Sequence, residues 1–311
     1  MKYKTYMDDS AKTSRLGFGG WTLGNVSQGK KMTEEEGVKL VKEAYRKGIT
    51  FYDTAPNYSN GLSEKILGVA LNGIRSNVVI NSKFGHHADG TIDFSEDKII
   101  ASVEGSLKRL QTTYLDSVIL HNPDWSVLNN ETNHFKILKE LKNEGKILGY
   151  GVSVDTREEL GAVLDNLDVD TVEILFNIFS QNNRVHFKTL KQRNIKVIVK
   201  VPLDSGWLTG KFDKNSTFDD IRSRWSKEDI IKRDHLVTEL RKIIPPSKSM
   251  IDYAIGFILD FEAVTTVIPG IRTTDQLELQ FNAIKTWISH KDKQKLLDFH
   301  DQHIGDSPLP W

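Results

Sequence analysis

Short runs rich in valine and isoleucine alternate along the chain with longer stretches whose apolar residues recur at spacings of three and four. The runs predict strands near residues 16–19, 50–53, 78–83, 116–121, 147–152, 171–176, 196–201 and 264–268. The stretches predict helices over 34–47, 63–71, 96–110, 134–143, 157–164, 185–192, 249–260 and 274–284. Thr33 followed by Glu36 has the spacing of a capping box, and Gly48 and Gly145 stand where left-handed caps close helices. Strand-helix alternation implies parallel pairing, and the almost unbroken apolar character of 117–120 and 197–199 implies burial on both strand faces. Eight such units predict a (β/α)8 barrel of the TIM type. An open, doubly wound sheet is the runner-up, but its dinucleotide fingerprint requires a third glycine where Gly17-Phe-Gly19-Gly20-Trp21-Thr22 has threonine.

The even spacing is interrupted twice. A long polar connection, 202–225, and an extra helix, 227–242, follow the seventh strand; a further helix, 291–300, and a tail, 305–311, follow the eighth unit. These additions read as peripheral cover on one barrel domain spanning residues 1–311. Composition narrows the classes further. With 42 basic against 42 acidic residues the net charge is zero, which argues against a nucleic-acid partner. The absence of cysteine excludes disulfides, thiolate nucleophiles and cysteine-ligated zinc. No apolar run reaches the roughly 18 residues of a membrane span, and residues 1–10 do not resemble a signal peptide, so a soluble, cytoplasmic protein is expected. No apolar heptad marks an oligomer.

In a parallel barrel the chemistry lies at the C-terminal strand ends. There the pattern places Asp53, Lys83 and His121, with Ser153 just beyond the fifth strand and Tyr58 in the loop after Asp53. Each alone has an ordinary alternative as a cap, a rim charge, a core histidine or a loop aromatic; together at neighbouring strand ends they form a constellation. A tyrosine hydroxyl, with an ordinary pKa near 10, becomes a useful acid beside a cation that stabilises its phenolate. Lys83 can be that cation, Asp53 can orient it, and His121 can donate to a bound carbonyl oxygen. This set suits hydride addition to a carbonyl, and since no side chain supplies hydride, a nicotinamide cofactor is required. Hydrolysis by two carboxylates is weakened because Asp53 has its natural partner in Lys83. His86-His87 is a poor chelating pair without a third ligand, so no metal is expected.

Six ordered blocks carry a family resemblance: Phe51-Tyr-Asp53-Thr-Ala-Pro-Asn-Tyr58, Asn81-Ser-Lys83-Phe-Gly85, Leu120-His121-Asn-Pro-Asp124, Gly151-Val-Ser153, the segment from Val201-Pro202-Leu203 to Gly210-Lys211, and Val267-Ile-Pro-Gly270. Between about Leu16 and Ala283 the chain resembles the aldo-keto reductase superfamily. Its bacterial branch matches best, through Gly-Leu-Ser-Glu at 61–64 and the Pro-Leu-Pro-Trp ending. The resemblance implies a barrel that binds NAD(P)(H) extended, with Tyr58 as general acid and Asp53, Lys83 and His121 completing the tetrad. It also implies cofactor contacts from Gly20, Trp21, Asp53, Ser153, Glu173, Lys200, Pro202, Leu203, Ser205, Gly206 and Leu208. Lys211 falls near the pyrophosphate, and Gly270, Arg272, Thr273, Gln276 and Gln280 line the adenine end. Arg272 and Thr273 favour NADP(H) over NAD(H), the latter staying open.

The departures lie in the nicotinamide pocket: Val154 stands where many members have asparagine, Glu173 where many have glutamine, and Lys200 where an aromatic often stacks. Glu173 and Lys200 end neighbouring strands, so an ion pair between them is expected. Trp21, Tyr58, Phe84 and His121 are expected to wall the substrate, helped by His86, His87, the loop after Asp204 and the tail to Trp311. The substrate expected is an aldehyde, a ketone or the matching alcohol, sugar-derived in one version. A second reading is a cofactor-binding regulatory protein like the potassium-channel beta subunits, which the complete tetrad weighs against.

Overall fold

The computed structural model describes residues 1–8, 10–27 and 30–310. Its main sheet has eight strands in sequential order: β1 (Phe18–Gly19), β2 (Phe51–Asp53), β3 (Val79–Phe84), β4 (Ser117–His121), β5 (Tyr150–Val154), β6 (Thr171–Leu175), β7 (Lys196–Lys200) and β8 (Val264–Val267). Every neighbouring pair is parallel. The sheet curls onto itself through parallel bridges from Leu16 to Val267 and from Gly19 to Gly270, so the (β/α)8 barrel is closed. Closure needs small residues where strands crowd. A Cβ on Gly151 would fall 1.8 Å from the Thr171 carbonyl oxygen, and one on Gly20 would clash with the Asp53 carbonyl oxygen. Gly151 and Gly20 are therefore required sterically by the pairing itself.

Eight helices alternate with these strands: α1 (Glu34–Arg46), α2 (Leu62–Leu71), α3 (Ile99–Leu110), α4 (His134–Asn143), α5 (Arg157–Asn166), α6 (Phe187–Gln192), α7 (Met250–Leu259) and α8 (Thr274–Ala283). The Thr33–Glu36 capping box opens α1 as its spacing requires. Fully buried strand residues pack outward against the apolar helix faces in one continuous core. Inside the barrel floor a smaller cluster gathers Tyr6, Met7, Phe51, Val79, Ile198 and Ile268. Tyr6 and Met7 come from the connection of an N-terminal hairpin, Tyr3–Lys4 with Thr13–Ser14, which plugs the end opposite the catalytic strand ends.

Three differences from the sequence pattern have simple causes. β5 begins at Tyr150 rather than 147, because Ile147 makes a single bridge to Leu115 and then leaves the ladder. The N-terminal hairpin, a second hairpin of Val26–Ser27 with Lys30–Lys31, and the short helix Trp125–Leu128 each span too few residues to show a period. The long connection does not stand open: Trp207, Phe212, Phe218 and Trp225 pack edge to face into their own aromatic cluster.

The inserted helix Lys227–Ile243 holds that cluster through Arg233, which is fully buried. Its guanidinium donates to Asp204 at 3.0 Å and to the Pro310 carbonyl at 2.7 Å while lying over the Trp225 ring. One arginine therefore joins loop, helix and tail. Removing one partner of a buried ion pair costs about 3–5 kcal/mol. Arg233→Met should lower unfolding stability by about that amount in urea titrations, and a loss below about 1 kcal/mol would show the pair to be dispensable.

Candidate active site

At the C-terminal strand ends, period-2 alternation turns Asn81 and Lys83 of β3 to one face, toward Asp53 at the end of β2. Lys83 Nζ donates to Asp53 Oδ1 at 2.5 Å and to the Thr54 carbonyl at 3.1 Å, and Asn81 Nδ2 donates to the same Asp53 oxygen at 2.8 Å. Glu173 on β6 brings a second carboxylate to within 3.4 Å of Lys83 Nζ. All three charges are buried, each about 2 % exposed. The Lys83 ammonium lies 5.2 Å from the centre of the Tyr58 ring, and His121 meets that ring edge to face at 6.1 Å.

Burial works to strip the proton from Lys83, but Asp53 and Glu173 outweigh it and hold the ammonium above its ordinary pKa. Burial, joined by the charge of Glu173, pushes the Asp53 carboxyl up to about 7 against the opposing pull of Lys83. Burial also raises the Tyr58 hydroxyl, with Lys83 opposing it, so the phenol keeps its proton at neutral pH. His121 is driven well below its ordinary value by burial and then by Lys83, His86 and Lys200. Its ring is therefore neutral and offers a single N–H, while its buried Nδ1 has no partner. The arrangement is a proton donor beside a fixed cation, with a neutral hydrogen-bonding ring facing it.

The support of this centre extends to the barrel floor. Asn81 Oδ1 accepts from Ser117 Oγ at 2.5 Å, and Ser117 Oγ is 2.7 Å from the Tyr6 hydroxyl. Ser63 Oγ donates to the Gly20 carbonyl and lies 2.9 Å from Thr54 Oγ1, which ties α2 to the ends of β1 and β2. The role of Asn81 was not deduced from the sequence, although its place two residues before Lys83 on the same strand is the signal that would have found it.

A model of the aldo/keto reductase family matches residues 15–299 of this chain. The chain belongs to the aldo/keto reductase family. It is 31% identical over 314 residues to the aldo-keto reductase YhdN of Bacillus subtilis, covering 95% of this chain and 92% of that protein. It is 27% identical to a probable voltage-gated potassium channel subunit beta of Arabidopsis thaliana over 308 residues, covering 91% of each. Among solved structures, the glycerol dehydrogenase AKR11B4 from Gluconobacter oxydans superposes with a TM-score of 0.80 at 26% identity, covering 96% of this chain and 95% of that one. The protein is thus an NAD(P)(H)-dependent oxidoreductase.

Several expectations for this aldo/keto reductase need correcting. Glu173 and Lys200 do not pair directly. Glu173 turns to Lys83, while Lys200 forms an ion pair with Asp155 at 2.8 Å and donates to Asn122 Oδ1 at 3.0 Å and Ser153 Oγ at 2.8 Å. The Ser153 hydroxyl accepts from Lys200 and donates to Glu173 at 3.3 Å, so it bridges the two. Asp155 and Asn122, both in loops past the strands, gave no periodic signal. Phe84 does not wall the mouth: it is fully buried against Phe94 and His87, because strand alternation sends it to the face opposite Lys83. His86 takes that position, stacked on His121 with ring centres 4.3 Å apart. Trp21 stays 40 % exposed at the rim, and Trp311 lies outside the described residues. No group of three or more metal-binding side chains occurs among the described residues, and none of their helices is long and apolar enough to cross a membrane.

The residues present fit a nicotinamide dinucleotide. Glu173 Oε2, ion-paired with Lys83 at 3.4 Å but accepting no hydrogen bond, suits an amide NH2, while the buried Gln280 Oε1, which makes no hydrogen bond, suits an amine donor beside Gly270. Between them, the backbone after β7 is bent by positive φ at Val201, Asp204, Ser205 and Gly206. A β-branched residue such as Val201 is strained there, and the Asn177 side chain holds its carbonyl at 3.0 Å. Pro202, Leu203, Ser205 and Gly206 belong to this turn, but Leu208 is fully buried and its side chain serves packing. Lys211 lies over the Phe212 ring. Arg272 donates to the Asn25 and Lys30 carbonyls and so anchors the second hairpin. Thr273 caps α8 by accepting from the Gln276 N–H, and the Gln276 side chain accepts from the Arg272 N–H.

Proposed function

We propose that this enzyme interconverts a small hydroxylated alcohol and its aldehyde or ketone, with Tyr58 as general acid in reduction and general base in oxidation. One observation carries the reading: the Lys83 ammonium, fixed by Asp53 and Glu173, sits 5.2 Å from the Tyr58 ring, and His121 meets the same ring edge to face at 6.1 Å. In reduction the phenol gives its proton to the substrate oxygen while Lys83 stabilises the phenolate left behind. The His121 N–H shares the charge developing on that oxygen. The bound nicotinamide supplies or takes the hydride. A polyol or sugar-like substrate is favoured because the mouth beside the tetrad is rimmed by His86 and Trp21 rather than by Phe84. The glycerol dehydrogenase likeness supports the same class.

NADP(H) is the proposed carrier, with NAD(H) the lesser one. The Arg272 guanidinium donates to neutral carbonyls, and the one carboxylate among the described residues that acts on its charge, Glu36, is itself paired with Lys30, which leaves Arg272 suited to a 2′-phosphate. Following nicotinamide absorbance against a panel of polyols, sugars and simple carbonyls tests the reading. Saturable turnover with kcat/KM higher for the phosphorylated cofactor is expected, and a clear preference for NAD(H) would overturn that choice. The likeness to a channel beta subunit favours a second reading, a slow, cofactor-bound regulator. Cofactor binding without turnover across the whole panel would select it.

A further inference from the structure

Two carboxylates share one ammonium beneath the catalytic tyrosine. Asp53 lies 2.5 Å and Glu173 3.4 Å from Lys83 Nζ, all three wholly out of solvent. The Lys200 ammonium faces Glu173 through the Ser153 hydroxyl, but it is paired with Asp155, whose carboxylate also feels Arg224. The nearby imidazoles of His86 and His121 are held below their ordinary pKa, chiefly by burial, and add no charge at neutral pH. The Lys83 triad therefore carries one negative charge in excess when both acids are ionised, and Glu173 is the acid that the tyrosine-lysine chemistry does not need.

A nicotinamide ring close enough to exchange hydride with a carbon bound at Tyr58 shares this buried environment. That ring is positively charged when oxidised and neutral when reduced, and charges interact far more strongly in a poorly solvated interior than in water. Building on the function proposed above, we propose that Glu173 is a specificity-determining residue that favours binding of the oxidised cofactor over the reduced one. In alcohol oxidation the substrate C–H bond breaks and its electron pair passes as hydride to the oxidised ring, cancelling the ring's positive charge and with it the attraction to Glu173. The substrate hydroxyl proton passes to the Tyr58 oxygen once the resting phenol has given its own proton to solvent, and the C=O bond forms. The raised Asp53 carboxyl is consistent with an excess of acid that a cation would relieve.

The test is the ratio of dissociation constants for NADP+ and NADPH, read by quenching of tryptophan fluorescence in the native protein and in Glu173→Gln. A lost carboxamide contact weakens both redox forms alike and cancels in the ratio, whereas a lost charge does not. The variant should raise the NADP+ to NADPH ratio of Kd by at least about tenfold, the worth of a single charge pair as far as about 12 Å apart at an effective dielectric near 20. An unchanged ratio overturns the inference; binding of neither form to the native protein overturns the proposed function instead. Should the variant not fold, calorimetry of the native protein decides. NADP+ binding near pH 6.5, compared in buffers of different ionisation enthalpy, should release protons that NADPH binding does not, and equal release for both refutes the role of Glu173.

Discussion

Tyr58→Phe should lose turnover by about 10²- to 10⁴-fold, the usual worth of a positioned general acid, with NADP(H) affinity unchanged. Removing one hydroxyl leaves the ring, its edge-to-face contact with His121 and the Lys83 ammonium beneath it in place. The deleted interaction is made at the moment of proton transfer, so kcat and kcat/KM should fall together. Stopped-flow turnover combined with cofactor titration checks both halves. A variant that keeps native turnover would remove Tyr58 from the mechanism, and one that loses cofactor binding would show a structural rather than a chemical role.

Most of the frame was legible from period alone, because buried parallel strands read as apolar runs and amphipathic helices as three-and-four spacings. The strand-end rule then brought Asp53, Lys83 and His121 to one mouth. Failures fell where contacts are decided by loops or by the choice of partner. Adjacency of the strands predicted a pair, but only Lys200 ends its strand; Glu173 is the middle residue of β6, opposite Ile198, and Leu175 is the residue that faces Lys200 in the ladder. A buried carboxylate with Lys83 in reach satisfies itself inward, while Lys200, a partly exposed lysine on a flexible stem, turns to the rim acid Asp155. Phe84 was expected in the loop beyond a strand ending at Lys83, but β3 continues through it, and alternation then turns its side chain to the face opposite Lys83. Arg233 was invisible in sequence, since a charge on a helix is ordinarily solvated and only the folded loop supplies Asp204, Trp225 and the Pro310 carbonyl.

Lys83→Met should abolish turnover more completely than Tyr58→Phe and should also destabilise the fold in a pH-dependent way. The chemical loss follows because the phenolate loses its stabilising cation and the tyrosine loses the charge that opposes its buried, raised pKa. The stability loss follows because Asp53 and Glu173 remain buried with no counter-ion, a defect worth about 3–5 kcal/mol when one partner of a buried pair is deleted. Its sign with pH is fixed by Asp53, whose carboxyl already sits near 7 with the lysine present. A carboxyl whose folded pKa is raised binds its proton more tightly in the native state. Native stability is then fullest below the unfolded value near 4 and declines as pH rises through the folded value. Deleting Lys83 raises that folded value further. The gap between variant and native protein should therefore be small at pH 5.5 and largest near pH 8.5, read as urea midpoints at the two pH values. Equal gaps at both would mean that water or another cation reaches the two acids once Lys83 is gone, and that the charge at the barrel mouth is less isolated than its burial implies.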